Sequence, residues 1–128
     1  MVNKQISNAS VIQRKIDIHD RIYKFVLSVL TILSSLPKSN LNLIIIDQCG
    51  RSVTSVGAND QEADACESKK DFILKYTIVK KELKETNYWL QLIKDTNSSV
   101  NPALANIQNE GKELLLIISS IIKKSKYK

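Results

Sequence analysis

The sequence predicts an all-α protein, an antiparallel up-down-up-down four-helix bundle. Three observations carry that reading. Apolar residues recur at steps of four and three over long segments. Only three Gly and two Pro occur in 128 residues, and few stretches alternate apolar with polar. The turns between segments are short, which makes consecutive helices antiparallel neighbours, and no long crossover intervenes. A chain of this length forms one domain with a sizeable core. Residues 10–125 are assigned to it, with 1–9 as a loose polar N-terminus and 126–128 as a basic C-terminal tail.

The first helix is expected from about Val11 to Leu36. Ile12, Ile16, His19, Tyr23, Val26, Leu30 and Leu33 form one stripe, and Ile18, Ile22, Phe25, Val29, Ile32 and Leu36 a second. A surface helix of a monomer typically carries an apolar stripe of roughly 100° or somewhat more. Two stripes exceed that, so this helix is either central or shared with another subunit. Pro37 stops it.

Ser39 or Asn40 caps a second helix, from about Leu41 to Ala58. Its first half, LNLIII, is apolar. Its second half is small and hydroxyl-rich, and Gly50 implies close packing, since Gly inside a helix costs about 1 kcal/mol relative to Ala. Asp60, Glu62, Asp64 and Glu67 then lie ahead of the third helix, where negative charge meets the positive dipole end. That reading is preferred to a metal site, which needs a tighter set of oxygen ligands.

The third helix is the most regular stretch, Ser68 to Asp95. Phe72, Tyr76, Val79, Leu83, Thr86, Leu90 and Ile93 alternate steps of four and three like a coiled-coil seam. Ser68 with Asp71 is a capping-box start. In the next turn Asn101 is a cap and Pro102 a first helical residue. The fourth helix runs to about Lys124, with Ile107, Gly111, Leu114, Ile118, Ile121 and Ile122 sharing a face. Its terminal lysines suit the helix dipole as well as any ligand.

The composition, 43% hydrophobic and 25% charged, is that of a globular chain. A net charge of +6 favours polyanions, whether nucleic acid, acidic protein or membrane surface, unless it serves solubility alone. Cys49 and Cys66 match no metal or redox spacing and read as reduced thiols in a cytoplasmic protein. The N-terminus lacks a signal-peptide core, and no apolar run approaches the roughly 18 residues a membrane span needs. Secretion and membrane insertion are not expected. Peripheral membrane binding by the basic tail is disfavoured, since the tail has no amphipathic length of its own.

No catalytic constellation is legible, and no cofactor is expected. His19, the only histidine, sits on an apolar stripe and reads as a core or interface residue. The Glu-x-x-His pairs of di-metal bundles and the glycine-rich loops of phosphate sites do not occur.

From helix 2 into helix 3 the sequence becomes specific. Arg51, Ser52, Ser55, Val56, Asn59, Glu62, Ser68, Asp71 and Phe72, then Lys81, Glu82, Glu85, Thr86, Tyr88, Trp89 and Leu90, resemble the pattern of a bacterial four-helix-bundle protein family. This family is also known from small reading frames in intervening sequences of large-subunit ribosomal RNA genes. The likeness covers nearly the whole chain in helix order. It implies a left-handed bundle that assembles as a ring, commonly a homopentamer. A distant branch is the accessory protein of diversity-generating retroelements, where a basic pentamer is thought to bind nucleic acid and a reverse transcriptase. One departure is Asp60, where the family usually carries an aliphatic residue. Either the local packing differs there or the acid turns outward.

Two sets of site candidates follow. Arg51, Ser55, Asn59 and Glu62 form either a binding motif or a structural one, in which Arg51 pairs with Glu62 or another acid inside the bundle. Lys70, Lys81, Lys84 and Tyr88 on helix 3, with Lys123 and Lys124 on the tail, are candidates for nucleic-acid binding. Lysine beside an exposed aromatic suits a phosphate backbone and a stacked base. A solvated face, with Lys81 paired to Glu85, is the competing account. The expected function is a non-enzymatic oligomeric binding module for RNA or DNA, RNA favoured. The alternative is an oligomeric scaffold for a protein partner, with Tyr88 and Trp89 as interface anchors.

Overall fold

The computed structural model describes residues 2–99 and 101–127, with side chains from Ile18 onward. Four helices make up the fold: α1 (Val2–Ser35), α2 (Asn40–Asp64), α3 (Lys69–Thr96) and α4 (Ala103–Lys126). Residue pairs across the seams give their directions. Asp60 near the end of α2 meets Tyr76 near the start of α3, while Asn42 at the start of α2 meets Asn97 after α3. Gln91 of α3 meets Gln108 of α4, and Arg21 of α1 meets Glu110 of α4. Every neighbouring pair is antiparallel. α1 and α3 each pack against both α2 and α4, so the helices form a four-membered ring in sequence order.

The caps form as expected at two turns, whereas α4 starts at Ala103 with Pro102 in the cap position and no side-chain cap bond of its own, instead of Asn101 capping and Pro102 opening the helix. Ser39 and Ser68 accept from the backbone N–H groups of Asn42 and Asp71. Asn101 Oδ1 accepts from Ala103 N at 2.9 Å. The α3 stripe packs inside, with Tyr76, Val79, Leu83, Thr86, Leu90 and Ile93 all buried.

Four other expectations need correction. α1 starts at Val2 rather than about Val11. The segment expected to be loose, 1–9, and the stripe positions Ile12 and Ile16 lie outside the described side chains. α2 runs six residues beyond Ala58, to Asp64. Asp60, Glu62 and Asp64 therefore occupy its C-terminal turns, not the approach to α3, and the dipole account fails for them. Burial of Ala63 and internal partners for Asp60 extend the helix. The close approach expected at Gly50 is also absent, since an added Cβ there would touch only Leu33, at 3.9 Å. The tight position is Gly111, where a Cβ would collide with the Asn87 side chain and stand 3.2 Å from Phe25. Lastly, the first α1 stripe is not buried throughout, and Leu27, which belongs to neither stripe, is exposed as well. Ile22, Phe25, Val29, Ile32 and Leu36 are buried with Val26 and Leu33, but Tyr23 is 59% exposed and Leu27 46%. The apolar surplus of α1 thus faces outward, beside a groove shared with α2.

No helix among the described residues is long and apolar enough to cross a membrane.

Candidate nucleic-acid interface

Helix geometry at 3.6 residues per turn places Lys70, Leu74, Thr77, Lys81, Lys84 and Tyr88 on one outer stripe of α3. All are exposed. Gln91 faces α4, through its hydrogen bond from Gln108 at 3.1 Å. Lys84 and Lys80 lie seven and eleven residues before it, so they flank α4 too. On α4, Lys112 is one turn beyond Gln108. Leu116, Ser119 and Lys123 follow it at steps of four, three and four, with Lys126 three further. The antiparallel register brings Lys126 level with the first turn of α3.

Four acids of these two helices turn away from this face, while Asp95 of α3, bonded to Gln91, stands at its far end. Glu110 and Glu113 of α4 both bind Arg21 of α1, at 2.6 and 3.3 Å. The hydrogen bond with Glu110 raises the Arg21 pKa above its already high ordinary value. On α3, Glu82 is one turn before Thr86, which bonds Ser52 of α2 at 2.8 Å. Glu85 also lies toward α2, close enough to add to the raised pKa of Cys49 there. Between Lys70 and Tyr88 the α3–α4 face is therefore basic, with Glu82 and the exposed Glu85 on the α2 side of the helix and Glu110 and Glu113 held by Arg21.

None of Lys70, Lys80, Lys81, Lys84, Lys112, Lys123 and Lys126 is in an ion pair. The Lys81–Glu85 pair of the competing account does not form. Tyr88 is 60% exposed, and its ring meets that of Trp89 edge-on at 5.1 Å. Trp89 itself is half-buried. Sequence reading missed Lys80, Lys112 and Lys126 as members of this face. Their signal needed the α3–α4 register, which the order of residues does not carry. Lys124 drops out of the set, because it lies eleven residues beyond Glu113 and shares that residue's α1 side.

A family profile described as 23S rRNA-intervening sequence protein matches residues 14–120. This chain belongs to that family. A crystal structure from Bacteroides thetaiotaomicron, of a protein with unknown function from the S23 ribosomal protein family, is 33% identical. The match covers 83% of this chain and 95% of that one, with a TM-score of 0.74. No curated protein matches the chain.

The residues that carried the likeness to the intervening-sequence protein family separate into distinct environments. Arg51 does not pair with Glu62 or with any acid inside the bundle. It bonds Asp47 one turn back at 3.1 Å, on the surface, with its side chain 75% exposed. Glu62 instead meets Lys75 of α3 at 3.3 Å. Asn59 donates to the Ser55 carbonyl and hydroxyl at 2.9 and 3.0 Å. The α2 motif is a set of local contacts on one helix plus one link to α3.

Asp60 is fully buried, so the acid does not turn outward. Tyr76 donates to its carboxylate at 2.7 Å, and His19 Nδ1 lies 2.9 and 3.0 Å from its two oxygens. His19 Nε2 is 3.4 Å from Asp64. Burial and the bond to Asp60 push the Tyr76 hydroxyl pKa well up. One carboxylate thus ties α1, α2 and α3 together. Beside it runs a mostly apolar groove of about 410 Å³, lined by His19, Tyr23, Val26, Thr54, Gly57 and Gln61 among others. Nothing in this cluster resembles a nucleophile with its base, and no group of metal-ligating side chains is found among the described residues.

Proposed function

We propose that this protein is a non-enzymatic, homo-oligomeric bundle that binds RNA through backbone phosphates on the α3–α4 face. The observation that carries the reading is the segregation of charge. Seven lysines without an ion pair among the described residues share one face, while Glu110 and Glu113 of α4 are held by Arg21 and Glu82 and Glu85 of α3 lie on the α2 side. Polyanion binding uses such a face through counterion release, without needing base-reading groups. Oligomerisation is supported by Tyr23 and Leu27, exposed beside the α1–α2 groove, where a second subunit would cover them. A ring repeats the basic face and converts weak contacts into avidity. The family name joins these proteins to ribosomal RNA genes and agrees with an RNA ligand.

The test is anisotropy of a labelled generic RNA across a salt series, with oligomer mass measured in the same buffers. Affinity should fall linearly with log salt, and each Lys→Ala substitution at Lys80, Lys84 or Lys112 should lower the slope by about one. Lys124→Ala should leave it unchanged. Absence of binding at low salt would refute the proposal and leave the lysines a solubility role.

A further inference from the structure

The basic face is not uniformly polar. Leu74 is 62% exposed, Leu116 73% and Tyr88 60%, and all three stand among the lysines. Leu74 and Tyr88 are on the same α3 stripe as Lys70, Lys81 and Lys84. Leu116 lies between Lys112 and Lys123 on α4. Along α3 the stripe from Lys70 to Tyr88 is about 27 Å long, at 1.5 Å per residue.

This mixture discriminates between forms of nucleic acid. A duplex shows such a face only phosphates and sugars, because its bases are stacked inside. Three large apolar side chains would then lie against a charged, hydrated backbone and gain no cover. An unpaired strand offers phosphates and base faces together. Lysines take the first, and exposed apolar and aromatic side chains take the second. Tyr88 is prepared for this role. Its ring meets that of half-buried Trp89 in a T-shaped contact at 5.1 Å and is still 60% exposed at the end of the stripe. The outer stripe of α3 holds no Arg, Asn or Gln to read base edges, since the one amide between Lys70 and Tyr88, Asn87, is turned against Gly111 of α4.

From these observations we infer that the α3–α4 face selects single-stranded over duplex nucleic acid, with Tyr88 as a base-stacking residue and Leu74 and Leu116 as apolar rests. The inference depends on the phosphate-binding reading above and adds the class of strand.

The experiment compares a labelled twelve-nucleotide uridine strand with an RNA duplex of equal length, at one salt concentration, using the full chain. The single strand should bind at least about tenfold tighter. Tyr88→Ala should cost the single strand about tenfold while leaving the duplex unchanged, and Tyr88→Phe should retain affinity. Leu74→Ser with Leu116→Ser should act in the same direction. Because these side chains are exposed, thermal melting should be unaltered. Trp89, the only tryptophan, supplies an independent signal, since stacking on its neighbour should change its fluorescence. Equal binding of both forms, with Tyr88→Ala silent, would overturn the inference but leave phosphate binding standing. Binding of neither form at low salt would overturn both.

Discussion

Asp60 and Arg51 stand nine residues apart on α2 and meet opposite surroundings. Asp60 is buried, with Tyr76 and His19 bonded to its carboxylate. Arg51 is on the surface, bonded to Asp47 of its own helix. The first charge joins three helices; the second joins one turn to the next. In water an exposed ion pair replaces hydration it already had and contributes little. A buried carboxylate has lost its hydration, so its partners become indispensable. Location, more than charge or motif membership, decides which residue the fold depends on. The α3–α4 lysines carry the contrast further, since charge that is exposed and unpaired remains available to a ligand.

The contrast would break most visibly at the buried carboxylate. His19→Leu with Tyr76→Phe leaves Asp60 buried without its partners and should destabilise the fold by about 3–5 kcal/mol, read from denaturant midpoints. Adding Asp60→Leu, which removes the stranded charge and puts an aliphatic side chain in its place, should recover most of that loss. If the triple variant is as unstable as the double, the cluster acts through shape and not through the stranded charge.

Alkaline titration sharpens the comparison at intermediate size. Burial pushes the Cys49 thiol from 9.0 up to about 12, and burial with the Asp60 bond raises Tyr76 as well. Above pH 9 the unfolded chain loses protons that the folded chain keeps. The folded state then binds more protons, so stability falls as pH rises, by about 1.4 kcal/mol per pH unit for each group fully in this window. Cys49→Ala and Tyr76→Phe should each flatten the slope of stability against pH.

The smallest effect belongs to Arg51. Arg51→Leu should change stability by less than about 1 kcal/mol, because its partner is exposed and lies on the same helix. A larger loss in thermal melting would show that Arg51 has a tertiary role that its contacts do not reveal.

Much of the fold was legible because helical periodicity is local. The α3 stripe, the Ser39 and Ser68 caps and the stop at Pro37 each follow from residues within a few positions of one another. The end of α2 was misplaced because its final turns are polar in sequence. They are helical because Asp60 finds partners on α1 and α3, far away along the chain. The basic face was half legible. Lys70, Lys81, Lys84 and Tyr88 share a helix and could be aligned by register. Lys80 and Lys112 join them only once α3 and α4 are laid side by side. His19 was expected as a core or interface residue and is half-buried between Asp60 and Asp64, carboxylate partners that could not be found from spacing.

The sequence by itself determined that four helices form, where the last three start to within a residue or so, and that the chain carries a positive surplus with more apolar surface on α1 than one neighbouring layer needs. Those properties depend on composition and on a period of a few residues. The tertiary structure alone decided that Asp60 is an internal tie, that Arg51 is a surface residue, and that Arg21 draws Glu110 and Glu113 of α4 away from the lysines. Each of these depends on which side chains from distant segments are desolvated together, and that is fixed only when the helices pack.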